Sequence, residues 1–374
     1  MTKLNEILNV TVLEKLIEDG YVSRKLHNEY PLAVLNYTPQ AQYDPKLVWG
    51  NEMNLSRGLV YCTDTMEVIG RPFAKFWNFS DSRHPETMPE NLPNEVPMFL
   101  EKLDGSMGVL FEWDGLNYVA TRGSFHSEQA EWATNWIRTR YPRLSLPKSS
   151  TIVTEIIYKE NKIVIDYDFE GLVVLGSVNI ATGVEIPRSD VKDFCRAMGL
   201  ELVKEYKKSF TDCLTEDEKN REGYVITYPS NGLKIKVKFE TYCQLHRLLT
   251  GLNIHSVWEL LRDNQSKTID EWLVDPLMPA TFKEWISSIV LELNKQFSDI
   301  HLAVLNIFES RPKLDLMTPY KESRKILAAY FMKEEFRKYS GILFGLLDEK
   351  CIDHSIWKMI EPSGNNLTFK AEGE

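Results

Sequence analysis

The stretch Leu233-Lys234-Ile235-Lys236-Val237-Lys238-Phe239 constrains its backbone more than any other. Its strict period of two puts Lys234, Lys236 and Lys238 on one face of a strand, and Leu233, Ile235, Val237 and Phe239 on the other. Three ammonium groups ~6–7 Å apart on one face repel each other unless something anionic lies over them. A lysine-studded edge strand that discourages aggregation accounts for the pattern equally well. Upstream, Glu222-Gly223-Tyr224-Val225-Ile226-Thr227 reads as the antiparallel partner. A two-residue turn at Asn231-Gly232 sets Val225 opposite Lys238 and Thr227 opposite Lys236. Val225 then joins the lysine face, where it can cover a flat ring.

A second stretch is Glu101-Lys102-Leu103-Asp104-Gly105-Ser106-Met107-Gly108, which leads into an apolar strand at 109–113. A lysine ahead of a tight glycine turn has its amine placed by backbone geometry, and the glycine N–H groups can face an anion. Such an amine suits nucleophilic attack on phosphorus, provided something nearby keeps it unprotonated. An ordinary polar entry to a hairpin is the plain alternative.

Other single features fit an anionic ligand. Glu155 interrupts an otherwise apolar run, 151–158, on the face it shares with Val153 and Ile157. An acid there needs a metal, a hydroxyl or a cation as partner, unless it sits at the strand rim. Arg57 beside Gly58, and Lys75 within Arg71-Pro72-Phe73-Ala74-Lys75-Phe76-Trp77-Asn78, set cations among aromatics; either can also be plain surface charge. Arg122-Gly123-Ser124 is a further candidate phosphate donor. Arg138, Arg140 and Arg143 suit a helix C-terminus, where cations are favoured.

The chain changes texture near residue 245. Before it, a helix is expected at 4–19, short strands between 30 and 75, and a hairpin of 109–113 with 116–121 about Asp114-Gly115. Ser127 caps a helix over 129–137, strands follow at 151–158, 162–166 and 172–178, and a helix at 190–198 stops at Gly199. After it, helical periodicity dominates, as at 282–297 and 321–339, with Pro276, Pro279, Pro312 and Pro319 as breaks. Thr268-Ile269-Asp270-Glu271 has the spacing of a capping box, Trp258, Trp272 and Trp285 read as core, and 364–374 reads as frayed. The expectation is a mixed α+β domain over 1–245 and an all-helical domain over 246–374.

Composition narrows the function classes. The 374 residues, 43% apolar and 26% charged, suit about two soluble globular domains. No apolar run approaches the ~20 residues of a bilayer span, and no secretion signal opens the chain. Five cysteines without close spacing give neither a disulfide framework nor a zinc site, which fits a reducing cytoplasm. A net charge of −10 opposes indiscriminate coating of nucleic acid, so a polynucleotide would need local basic patches. There is no H-E-x-x-H, no G-x-x-x-x-G-K-[ST] and no G-x-G-x-x-G, which disfavours zinc hydrolases, Walker ATPases and Rossmann enzymes.

Taken in order, the motifs resemble the covalent nucleotidyltransferases, the superfamily of ATP-dependent ligases and mRNA capping enzymes. The lysine motif reads Lys102-Leu103-Asp104-Gly105, the central acid motif Thr154-Glu155-Ile156, the E-G motif Glu222-Gly223-Tyr224-Val225, and the paired lysines Lys236-Val237-Lys238. Within it the chain looks most like the phage-type RNA ligases of the first family, those of T-even bacteriophage. Arg57-Gly58, Arg71-Pro72-x-x-Lys75-Phe76-x-Asn78, Gly123-Ser124-x-x-Ser127-Glu128-Gln129-Ala130 and Asn161-x-Ile163-Val164 stand as in that family. The likeness covers about residues 50–246 and weakens over the helical end. Where the family usually has lysine, this chain has Arg122, which keeps the charge but changes donor geometry.

The resemblance implies an α+β fold: a nucleotidyltransferase (ATP-grasp-like) domain of antiparallel sheets with flanking helices, then an all-helical C-terminal domain. It implies that Lys102 attacks ATP to give lysyl-N-AMP. AMP then passes to an RNA 5′-phosphate, and a 3′-hydroxyl displaces it. Lys236 and Lys238 would serve the α-phosphate, and with a divalent metal (Mg2+ or Mn2+) would push the Lys102 amine below its usual ~10.4. Arg57 and Lys75 would meet the outgoing phosphates or the RNA 5′-phosphate, Glu101 would belong to the nucleotide site, and Val225 would pack on adenine. Asp104, Glu155 and Glu222 would form the metal set. The implied partner is single-stranded RNA, with nicked tRNA a natural target, and the implied state is a monomer. A DNA ligase or capping enzyme should instead continue into a small all-β barrel. A transferase that adenylylates proteins shares the first step and stays open.

Overall fold

The computed structural model describes residues 1–374 except 162, 163, 277, 279, 316 and 363–374, and only the backbone of 280 and 281. It divides into two compact units, one of Met1–His246 and one beginning at Arg247, and the boundary falls inside the helix Glu240–Gly251.

The first unit is α+β and holds three sheets. An antiparallel sheet of four strands runs Val22–Leu26, Leu32–Tyr37, Arg57–Cys62, Val68–Gly70. A second has the order Glu201–Leu202, Gly171–Asn179, Ser150–Ile157, Ser106–Trp113, Leu116–Thr121. The third has the order Glu205–Tyr206, Met98–Lys102, Gly223–Thr227, Lys234–Lys238, Trp77–Asn78. The five-stranded sheets each end in one two-residue parallel pairing, and their other ladders are antiparallel.

Side-chain patterning explains the layers. The helices Glu128–Arg140 and Arg188–Met198 bury Ala133, Ile137, Val191 and Cys195 against Leu110, Ile152 and Val174 of the second sheet. Full burial of each aliphatic side chain contributes roughly 1.5–3 kcal/mol. Ser127 accepts from Ala130 N–H as the expected N-cap, and Gly199 ends its helix at φ +72°. Asp114 and Gly115, both at positive φ, close the expected hairpin, with Trp113 opposite Leu116.

Several expectations give way. The helix at 4–19 is two, Leu4–Ile7 and Val10–Glu18, because the Asn9 side chain accepts from Thr11 and Val12 N–H and starts a new helix. Residues 164–166 form no strand, since Val164 and Ile165 N–H donate to the Asp104 carboxylate instead of a ladder; 162 and 163 lie outside the described residues. The turn between the lysine strand and its partner spans four residues, 229–232, closed by Tyr228 and Leu233. Val225 therefore faces Lys236 and Thr227 faces Lys234, two positions from the expected register. Pro229 lacks an N–H and Ser230 N–H donates to Glu95, so neither can extend the ladder. An even shift preserves faces, and Val225 stays with the lysines.

The second unit is built of helices, and no strand occurs among its described residues. Val304, Leu327, Phe331, Leu343 and Ile356 form its core. Within it Trp258 is buried and donates to the Trp357 carbonyl, whereas Trp272 and Trp285 are only half-buried. The helix expected over 321–339 is Tyr320–Phe331 and stops there. Thr268 lies inside the helix Ser266–Val274 rather than capping it. The break at Pro279 and the frayed 364–374 fall outside the described residues.

Candidate active site

Three neighbouring strands of the third sheet set side chains in rows on one face. Leu100 pairs with Val225, and Val225 with Lys236; one row along, Lys102 pairs with Gly223, and Gly223 with Lys238. Gly223 stands at φ +143°, where a Cβ would lie 2.0 Å from the Val237 carbonyl oxygen. With no side chain between Lys102 and Lys238, the buried Glu222 reaches both. Its Oε1 accepts from Lys102 Nζ at 2.7 Å and from Lys238 Nζ at 2.8 Å.

These groups open on a cavity of about 850 Å3 that also exposes Arg57, Arg122, Glu155, Leu175 and Val203. Leu100, Val225, Leu175 and Val203 give it apolar lining, and Arg57, Arg122, Lys236 and Lys238 give it cations. That combination suits a flat ring joined to a polyphosphate.

The sequence expectation of a lowered Lys102 amine counted a divalent metal among its causes; the protein groups alone act the other way. Burial pushes its amine down, but Glu222, Glu155 and Asp104 outweigh burial and hold it above its ordinary value. Lys236 is the amine held well below the usual lysine range, by burial and by Lys102, Lys75, Arg57 and Lys238. The acids win at Lys102 because one of them touches it, whereas Lys236 has no carboxylate partner among the described residues.

The expected metal set separates into different roles. Both oxygens of Asp104 are used: Oδ2 accepts from Val164 and Ile165 N–H at 2.9 and 3.1 Å, and Oδ1 from Tyr242 at 2.8 Å. The backbone N–H of Asp104 donates to the Tyr167 hydroxyl oxygen at 2.7 Å, so the residue ties the lysine loop down. Glu222 holds the two lysines. Among the described residues Glu155 has no hydrogen bond to its carboxyl, which is pushed up to about 8 by burial and by Glu222 and Asp104 against Lys102 and Arg57. Among the described residues no group of three His, Cys, Asp or Glu side chains is arranged to hold a metal directly.

Of the remaining candidates, Arg57 lines the cavity and donates to Met107 Sδ at 2.7 Å. Lys75 ends on the Tyr37 hydroxyl at 2.8 Å, amid the rings of Tyr37, Trp77 and Trp49, and not in the cavity. Glu101 points to the opposite face of its strand, 3.5 Å from Arg221, so its carboxylate is apart from the others. Sequence reading missed Tyr37, which takes a second hydrogen bond from Arg122 at 3.1 Å and whose hydroxyl is held below its usual value: burial raises it, but Arg122, Lys75 and Arg57 outweigh that. It also missed Tyr242. Both are single tyrosines outside any motif, and only folding brings them to the site.

A family model described as RNA ligase matches residues 55–243, about half of the chain. A provisionally named RNA ligase of Thermovibrio ammonificans is 28% identical over 234 residues, 59% of this chain and 61% of that protein. A provisionally named bifunctional polynucleotide kinase/RNA ligase of Autographa californica nuclear polyhedrosis virus is 26% identical over 281 residues, 66% of this chain and 38% of that protein. The chain thus spans less than two thirds of the length of either relative. Among solved structures, an archaeal ATP-dependent RNA ligase superposes with a TM-score of 0.44 at 15% identity, covering 87% of this chain and 76% of that one.

Proposed function

The chain belongs to the RNA ligase family, and from that premise we propose that it joins RNA ends using ATP. The Lys102 amine attacks the α-phosphorus; the N–P bond forms, the bond to the β-phosphate oxygen breaks, and pyrophosphate leaves with the lysine proton lost. AMP then passes to the 5′-phosphate of an RNA strand, and a 3′-hydroxyl displaces it to form the phosphodiester. Lys236 and Lys238 neutralise the α-phosphate, and Arg57 and Arg122 the outgoing phosphates. Lys75 acts through Tyr37. Val225 and Leu100 carry the adenine ring, and Glu101 offers its backbone alone.

A divalent cation, Mg2+ or Mn2+, held through water by Glu155 would supply positive charge that offsets the pull of the acids on Lys102. Burial and the flanking lysines would then push the amine down. Met1–His246 is on this reading the adenylyltransferase domain. The helical unit selects the RNA, with nicked tRNA as the proposed target, and the chain acts as a monomer; these last points rest on family analogy.

The observation that carries the reading is the single carboxylate of Glu222 shared by Lys102 and Lys238, beside Lys236, at the wall of a nucleotide-sized cavity. The helical second unit, where a DNA ligase or capping enzyme would have a β-barrel, also supports it. The test is incubation with α-labelled ATP and a divalent metal. Label should stay on the denatured protein, vanish in Lys102→Ala, and discharge onto 5′-phosphorylated single-stranded RNA. Label that ignores RNA and moves to a protein would favour the protein-adenylylating reading.

A further inference from the structure

The cavity has a second wall of which the proposed nucleotide chemistry uses only Arg122. It is formed where the strands Val22–Leu26 and Leu32–Tyr37 meet the segment 121–129, and it presents Lys25, Asn36, Arg122, Ser124, Ser127 and Gln129. Arg122 bonds across this junction to Tyr37, and Asn28 N–H donates across it to His126. Every acidic residue lining the cavity, Glu101 by its backbone and Asp104, Glu155 and Glu222, comes from outside 23–39 and 121–129. In a chain of net charge −10 an acid-free wall with two cations stands out. Lys25 is exposed and has no ion pair among the described residues. The Oδ1 of Asn36 is buried and has no hydrogen-bond donor.

We propose that this wall is the track for the RNA strand whose 5′-phosphate is activated, with Lys25 on a backbone phosphate and Asn36 on a ribose 2′-hydroxyl. The inference rests on the RNA ligase reading and names the strand's path within the same cavity. Hydroxyls, amides and isolated cations without acids are the groups that contact sugar–phosphate backbone. The half-buried Asn36 side chain lines the cavity, and its amide can meet a 2′-hydroxyl, the group that separates RNA from DNA. If Lys25 instead only blunts the edge of its sheet, it needs no anionic partner.

The test is Lys25→Glu in the full chain, a change at an exposed strand position. Three quantities are read: formation of the protein–AMP adduct, its discharge onto 5′-phosphorylated single-stranded RNA, and equilibrium binding of that RNA against salt. Adduct formation should match wild type. Discharge and RNA binding should weaken on the order of tenfold at low salt, and the log–log salt slope should shrink by roughly 0.7, one phosphate contact. The 5′-phosphorylated DNA of the same sequence should bind wild type more weakly than the RNA does. Unchanged RNA binding and salt slope would overturn the proposal, as would a loss confined to adduct formation, or equal affinity for RNA and DNA. Should wild type form no adduct, the ligase reading fails by itself, while the binding arm still decides the strand's path.

Discussion

Replacing Glu222 by Gln removes the buried charge that two half-buried lysines share. Glu222 is only 2% exposed and touches Lys102 and Lys238 at 2.7 and 2.8 Å. Removing one partner of a buried ion pair costs roughly 3–5 kcal/mol. Both hydrogen bonds go to one oxygen, which glutamine keeps, so the loss falls at the lower end, about 3 kcal/mol. For a unit of this size that lowers the melting temperature by about 6–12 °C. The pH dependence follows from the directions of the shifts. Glu222 is held low: burial raises it, but Lys102 and Lys238 outweigh that, so its contribution is present above the ordinary carboxylate value and is lost as pH falls through the lowered one. Lys102 is held high, so its contribution is present below the ordinary lysine value and is lost as pH rises through the raised one. The gap between wild type and variant should therefore be full between about pH 5 and 10 and narrow on both sides. Thermal melts across pH measure it. Modification of Lys102 by an amine-reactive reagent, mapped by mass spectrometry, should also move to lower pH, since burial then faces only Glu155 and Asp104. A melting temperature within about 2 °C of wild type at pH 7 would refute the reasoning, as would a Lys102 profile that stays put or moves up.

Three further outcomes are expected. Glu155, at about 8 in the folded chain against an ordinary value of ~4.3, binds its proton more tightly folded than unfolded, so stability falls as pH rises between those values. Glu155→Gln should flatten that slope in urea midpoints taken across pH, and parallel curves would contradict it. Tyr37→Phe removes the acceptor shared by Lys75 and Arg122, and should raise the ATP concentration for half-maximal adduct formation on the order of tenfold. An unchanged half-saturation would show that the tyrosine does not hold these cations for ATP. Gly223→Ala forces a Cβ to 2.0 Å from the Val237 carbonyl oxygen at φ +143°, and should lower stability by more than about 3 kcal/mol. A wild-type melt would contradict the strand geometry around Lys102.

What the sequence made legible was the geometry fixed locally. The period of two at Lys234–Lys238 determined which side chains share a face, and that survived a register error because the error was even. Asp114-Gly115 dictated its own turn. The four-residue turn at 229–232 was hidden because Asn231-Gly232 carries a two-residue signal, while Pro229 and a hydrogen bond from Ser230 to the distant Glu95 decide the closure. The break at Asn9 was hidden for a related reason: a cap can interrupt an apolar periodicity without disturbing it. Charge states were the least legible. Lys102 and Glu222 lie far apart along the chain, and only the pairing of Lys102 with Gly223 brings the acid onto the amine. For the same reason the hydrogen bonds that Asp104 accepts from Tyr242 and two backbone N–H groups could not be read from the sequence.

The central claim is that Lys102 takes the nucleotide. Full-length protein incubated with ATP and Mg2+ can be digested under conditions that keep phosphoramidates intact, and its peptides mapped by mass spectrometry. AMP should sit on Lys102 alone and should disappear when 5′-phosphorylated RNA is added. AMP on Lys236 or Lys238, or on no residue at all, would contradict the account.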